Sequence, residues 1–170
     1  MSFKSKKHMV IENFMEFNVF KSLQKLINSN DFNWHYHESM TGDSKLDLGF
    51  FTHSFYDKHN INSDYYYNYI KPILKKLGIS AIVQARANMI PSVFFKKKKS
   101  GWHTDNSLLT KTAIFYLNDC DGGTELKINK KNVFIKAEAN KMLIFDSNVL
   151  HRGTESKDVN IRYIINFNYF

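Results

Sequence analysis

The sequence predicts a mainly β fold with flanking helices, its core a double-stranded β-helix of the jelly-roll type. Two observations carry that prediction. From Ile79 onward the chain is a succession of short β-branched and aromatic runs, at 79–89, 112–117, 124–128, 133–136, 141–145 and 160–169. Turn signals such as Asp121-Gly122-Gly123 and the stretch 129–131 part them, and evenly spaced short strands of this kind fold as sandwiches or barrels. Before Gly78 the pattern mixes periods. Residues 16–27 place Phe17, Phe20, Leu23 and Leu26 on one helical face, and 28–31 end it. Residues 34–37 and 48–56 read as strands. Ser63 or Asp64 can cap a second helix through Lys76, with Tyr66, Ile70, Ile73 and Leu77 inward and Gly78 as its stop. Pro72 falls inside that helix, where a kink is expected.

No period of 20–50 residues repeats and no Pro- or Gly-rich linker divides the chain, so 1–170 reads as one domain. Its first 78 residues form a helix/strand layer, and 79–170 form the jelly-roll core. At 170 residues, 43% hydrophobic and 24% charged, it can bury a core without disulfides. The single Cys120 fits a reducing compartment, and no stretch has the apolar length of a signal peptide or membrane span. The expected location is the cytoplasm. A net charge of +8 is compatible with a nucleic-acid partner but does not argue for one, because Lys-, Asn- and Ile-rich usage also follows from an AT-biased genome. The scarcity of arginine is more informative. Only Arg86, Arg152 and Arg162 occur among 24 basic residues, and a position that keeps Arg in such a background can need a planar fork for a carboxylate.

The chemistry starts at His103-Thr104-Asp105. On an extended segment residues i and i+2 project to one face, so imidazole and carboxylate can reach one ion. His151 follows the buried-looking run 142–145 and a polar turn at 146–148, and a jelly roll can bring that strand end beside the earlier segment. Two His and one carboxylate form a facial triad, which leaves three cis positions on an octahedral Fe(II) for a chelating oxo-acid and O2. Arg162 then lies inside an apolar-alternating strand, where a charge is costly unless paired; a dicarboxylate tail would pair it bidentately.

Gly101-Trp-His-Thr-Asp105, 112–118, Asp121-Gly-Gly-Thr-Glu125, Phe145-Asp146, His151-Arg-Gly153 and 162–169 together resemble the 2-oxoglutarate/Fe(II) oxygenase superfamily. Their order and spacing are most similar to the prolyl 4-hydroxylase-like branch, including small versions encoded by bacteriophages. The resemblance runs from about Arg86 to the C-terminus. It implies His103, Asp105 and His151 as metal ligands and Arg162 as partner of the 2-oxoglutarate C5 carboxylate. It also implies Tyr116 as a hydroxyl donor to that carboxylate, and Asn88, before the metal-binding loop, as a 2-oxoglutarate contact. A carboxylate at Asp105 favours hydroxylation over halogenation. The implied reaction hydroxylates a protein side chain or small molecule while 2-oxoglutarate becomes succinate and CO2. Oxidative nucleobase demethylation and a non-catalytic, cupin-like metal-binding module are the alternatives.

Other features carry less. His53, on an aromatic strand, Arg152, beside His151, and Trp102, beside His103, are candidates for the substrate side. The lysine run 96–99 could attract an acidic partner, though a solvated loop accounts for it. His35 and His37 share a face without a matching carboxylate, and Tyr65-Tyr66-Tyr67 reads as half core and half surface.

Overall fold

The fold was analysed in a computed structural model, which describes residues 7–39, 49–92, 99–105 and 110–170. The chain opens with strand β1 (His8–Ile11) and helix α1 (Phe17–Ile27), followed by β2 (His35–His37), β3 (Phe50–Asp57) and the short β4 (Asn60–Ile61). A π-helical turn, Tyr66–Ile70, runs into α2 (Lys71–Leu77). The remaining strands are β5 (Ile82–Pro91), β6 (Lys111–Tyr116), β7 (Gly123–Ile128), β8 (Lys131–Lys136), β9 (Lys141–Asp146), β10 (His151–Thr154) and β11 (Ile161–Tyr169). They form the expected jelly roll. A large antiparallel sheet runs β1-β9-β6-β11-β5-β3-β2, with β4 beside β3, and a small one runs β10-β7-β8.

Alternation along the strands decides what each face meets. One face of the large sheet presents Ala85, Ala87, Ala113, Phe115, Ile165 and Phe167 to the helices. Small alanines there leave room for Phe14 and Phe20, whose rings meet Phe115 edge-on at 5.5 and 5.8 Å. The opposite face turns Ile114, Tyr116, Leu143, Phe145 and Ile164 towards Leu126 and Ile135 of the small sheet. The two layers of side chains thus make two separate apolar cores.

Helix α1 buries Phe20, Leu23 and Ile27, but Phe17 is 67% exposed. The expected stripe is therefore one turn too long. Phe17 overhangs the sheet, and the Lys21 ammonium sits 5.5 Å from its ring instead. The second helix is also not the kinked rod expected. Pro72 lies near the start of α2, and the helical segment before it widens into a π-turn, in which the Lys71 N–H reaches back to the Tyr66 carbonyl. Gly78 ends α2 at φ 68°, and its N–H and that of Ile79 satisfy the carbonyls of Lys75 and Leu74. A Cβ there meets no atom, so the penalty of Gly78→Ala is conformational alone. It is expected to lower unfolding stability by about 1–2 kcal/mol, readable by denaturant titration.

Two elements differ from the sequence reading in kind. β1 pairs with β9, His8 opposite Phe145, so the start of the chain is a strand of the large sheet. β10 was not expected as a strand; it pairs with β7, Arg152 opposite Glu125. The turn at Asn129-Lys130, both at positive φ, closes the β7–β8 hairpin as a two-residue loop. No helix among the described residues is long and apolar enough to cross a membrane.

Candidate metal centre and its cavity

A cavity of about 330 Å³ opens between the sheets, within the usual size range of small-ligand sites. Alternate residues of two neighbouring strands line it: Arg86, Asn88 and Ile90 on β5, and Arg162, Ile164, Asn166 and Asn168 on β11. Their side chains project the same way because the antiparallel register sets Arg162 opposite Ile90, Ile164 opposite Asn88, and Asn166 opposite Arg86.

His103 and His151 meet across an isolated antiparallel bridge, each N–H donating to the other's carbonyl at 3.0 and 2.9 Å. Each imidazole also holds a backbone carbonyl through Nδ1, Gly101 at 3.1 Å and Val149 at 3.0 Å. A carbonyl can only accept, so both Nδ1 atoms carry the proton and both Nε2 atoms are left with a lone pair. These point at Asp105 Oδ1, 3.9 Å from His103 and 3.4 Å from His151. The three donor atoms lie within 4.8 Å of one another. Three electron-rich atoms aimed at one point suit a cation with mixed nitrogen and oxygen ligands.

Asp105 is fixed through its other oxygen. Oδ2 accepts hydrogen bonds from Thr112 on β6 at 2.7 Å and Asn168 on β11 at 2.9 Å, and Thr112 is tied to Ser147 at 2.9 Å. Burial pushes the Asp105 carboxyl up, but His151 when its ring is protonated, together with the Asn168 and Thr112 donors, outweighs it and holds the group well below the usual carboxylate range. The site thus keeps the carboxylate ionised and turned inward. Thr112→Val removes one of these anchors and is expected to weaken divalent-metal affinity about 10–100-fold, measured by calorimetry with Mn(II).

Arg162 is 3% exposed, and its Nε has no hydrogen-bond partner among the described residues. Burial lowers its pKa from the ordinary arginine value, while Tyr116, Cys120 and Glu155 oppose that shift. Gly153 gives it room: a Cβ there would stand 3.1 Å from Arg162 Nη2, and the guanidinium would have to shift by a few tenths of an ångström. Asn88 likewise lines the cavity with an unpartnered Oδ1. Tyr116 lies one layer back. Its hydroxyl donates to Thr124 at 2.7 Å, Thr124 lines the cavity, and burial pushes the phenol up to about 12, so it stays a donor.

None of the three substrate-side candidates is in the cavity lining, although Arg152 and Trp102 meet each other. His53 sits on the helix-facing side of β3, bonded to the Asn33 carbonyl and Ser63 and packed on Phe32, Phe55 and Tyr65. Desolvation lowers its pKa, which fits a neutral buried ring. Its neighbour Thr52, opposite Asn88, faces the other way and accepts or donates to His37 at 2.8 Å. Arg152 is engaged by Glu125 at 2.7 and 2.8 Å, and its guanidinium lies 4.2 Å from the Trp102 ring. Glu125 also takes Lys99 at 2.5 Å. Of the lysine run 96–99, positions 96–98 lie outside the described residues. Sequence reasoning missed Thr112, Asn168, Asn166 and Arg86. The signal for two of them was present, since Arg162, Asn166 and Asn168 share one parity on an otherwise apolar strand.

Residues 91–170, which contain the triad and Arg162, match the family model of the 2OG-Fe(II) oxygenase superfamily. No curated protein matches the chain in sequence. Among solved structures the fold is similar to a Trichoplax adhaerens prolyl hydroxylase in complex with a hypoxia inducible factor oxygen degradation domain peptide fragment. That likeness has a TM-score of 0.72 at 18% identity, over 99% of this chain and 85% of that one. It is also similar to a Pseudomonas putida prolyl-4-hydroxylase, with TM-score 0.70 at 12% identity over 97% and 93% of the two chains. A Burkholderia pseudomallei oxidoreductase of the 2OG-Fe(II) oxygenase family gives TM-score 0.75 at 11% identity, over 96% and 84%. At such identities the structural likenesses speak for the fold alone, and the family match covers 91–170, the segment that carries the triad and Arg162. Residues 91–170 of the chain are thus similar to the 2OG-Fe(II) oxygenase superfamily, whose members are enzymes that use Fe(II), 2-oxoglutarate and O2.

Proposed function

We propose that the protein hydroxylates a prime substrate, a protein side chain or a small molecule, with Fe(II) held by His103, Asp105 and His151 and 2-oxoglutarate anchored by Arg162. One observation carries this reading beyond the family: a buried guanidinium with an unpartnered Nε opens into the same cavity as the triad. A module that only stored metal would have no use for such a cation, whose burial is unfavourable until an anion arrives. The strands β1, β2 and β3 share one sheet with the later strands, which supports reading 1–170 as a single domain. The chain's single cysteine, the buried Cys120, supports a cytoplasmic site of action.

The residues of the chain then divide the work. The Gly101 and Val149 carbonyls orient the two imidazoles, and Thr112 and Asn168 hold Asp105 so that Oδ1 faces them. Arg162 offers its fork to the C5 carboxylate, with the Asn88 Oδ1 available to a donor beside it. Ile90, Ile114 and Ile164 supply apolar wall that keeps water from the reacting centre. Bound iron supplies the oxidation itself, in which 2-oxoglutarate and O2 are converted to succinate and CO2 as a substrate C–H becomes C–OH. No side chain has to transfer a proton in that balance.

The test is direct. Anaerobically purified, Fe(II)-loaded protein is expected to bind 2-oxoglutarate and release succinate on exposure to O2, above a His103→Ala control. A wild type that does neither would sink the proposal.

A further inference from the structure

We propose that Arg86 is a specificity-determining residue of this site, taking an anionic group of the prime substrate, a carboxylate or a phosphate monoester, that carries a hydrogen-bond donor nearby. The inference rests on the reading above, which assigns Arg162 to 2-oxoglutarate. Two guanidinium groups open into one cavity, and one co-substrate anchor accounts for only one of them.

Arg86 is built into the site in the way Arg162 is. It lines the cavity, its Nε has no hydrogen-bond partner, and it forms no ion pair among the described residues. Its recorded neighbours are the Phe50 ring, 6.0 Å away, and the more distant electrostatic influence of Asp105 and Asp57. An arginine serving the fold would be expected to spend its five donors on carbonyls or carboxylates, as Arg152 does on Glu125. Of the chain's three arginines, Arg86 and Arg162 line this cavity without an ion pair among the described residues, whereas Arg152 lies outside the lining and is paired with Glu125.

Position separates its role from that of Arg162. Arg162 is opposite Ile90 in the β5–β11 register, four residues along β5 from Arg86 and so about 13 Å away along the sheet. Arg86 lies at the end where Asn168 grips Asp105, opposite Asn166. The Asn166 Oδ1 is itself buried without a partner. That end of the cavity therefore offers a fork of N–H donors and one amide acceptor, complementary to an anion with an adjacent N–H or O–H. Lysine would not replace the fork, because it presents a point charge without the planar pair of donors.

The experiment uses full-length protein loaded with Mn(II) and saturated with 2-oxoglutarate, titrated calorimetrically with N-acetyl-L-aspartate, N-acetyl-L-asparagine and N-acetyl-O-phospho-L-serine. At least one anionic probe is expected to bind ten times or more tightly than the neutral amide, and the two anions distinguish carboxylate from phosphate. Arg86→Gln should erase that preference, Arg86→Lys should restore part of it, and neither should shift the 2-oxoglutarate Kd more than twofold. Arg86→Met should also raise the apo melting temperature by about 2–4 °C, as removal of an unpaired, partly buried cation whose Nε is inaccessible predicts. No anion preference in wild type, a preference that survives Arg86→Gln, or a fall in melting temperature of the apo Met variant would each overturn the proposal. So would loss of 2-oxoglutarate binding in Arg86→Gln, which would make Arg86 a second co-substrate anchor. If wild type binds no 2-oxoglutarate at all, it is the underlying assignment of Arg162 that fails.

Discussion

His151→Ala is expected to abolish retention of Fe(II) and, with it, 2-oxoglutarate-dependent succinate release. His151 is the most buried of the three proposed ligands, and its Nε2 makes the closer approach to Asp105, 3.4 Å against 3.9 Å for His103. Losing a group that merely orients a ligand costs about 10–100-fold in metal affinity or activity, and removing the ligand itself should exceed that. The fold should survive. The bridge to His103 is made by main-chain atoms, and the side chain otherwise meets the Val149 carbonyl, the Phe145 ring and the His103 ring. A destabilisation of about 1–3 kcal/mol is the ordinary range for such a truncation. Metal content after dialysis, succinate yield and a circular-dichroism melt give the three readouts. Iron retained at wild-type stoichiometry would remove His151 from the ligand set.

Arg162→Gln should leave the metal in place and lose the co-substrate. Truncating one partner of a buried, hydrogen-bonded charge pair costs about 2–5 kcal/mol, so the 2-oxoglutarate Kd should rise between about 30- and several thousand-fold. Stability should move the other way in the empty protein. Arg162 is buried with an orphaned Nε, so the apolar Arg162→Met variant should melt above wild type without 2-oxoglutarate and below it when wild type is saturated. That crossover separates a ligand anchor from a structural arginine, whose loss would lower the melting temperature in both states. Calorimetry with Mn(II) measures the binding, and paired thermal melts measure the crossover.

Much of this site was legible because its parts obey local rules. His103 and Asp105 are two apart on an extended segment, Arg162 is a charge in an apolar strand, and both patterns survive without knowing the partners. What local rules could not supply was parity in β3. Phe50–Asp57 is apolar or aromatic on both sides, so nothing in the run says whether Thr52 or His53 faces the cavity. The register with β5 decides it, and that register is a long-range property. β1 was illegible for the same reason, since its four residues become a strand only by pairing with β9 more than 130 positions later. Tyr116 shows a subtler limit. Its strand and face were legible, but the Thr124 hydroxyl that takes its proton comes from the small sheet, across the cavity wall.

The division of the triad between the two sheets has a mechanical consequence. The imidazoles hang from the β10 edge and its bridge to His103, whereas the carboxylate is gripped by Thr112 of β6 and Asn168 of β11. An ion bound by all three would be a cross-link between layers that, among the described residues, meet through apolar side chains and the Tyr116–Thr124 hydrogen bond. Part of its binding energy would then go into holding the two layers together at the mouth of the sandwich. An ion at a thousand times its Kd would stabilise the closed arrangement by about 4 kcal/mol. Amide hydrogens at His103 and His151, slow to exchange only while that mouth stays closed, would report the filling of the site from the backbone without any turnover.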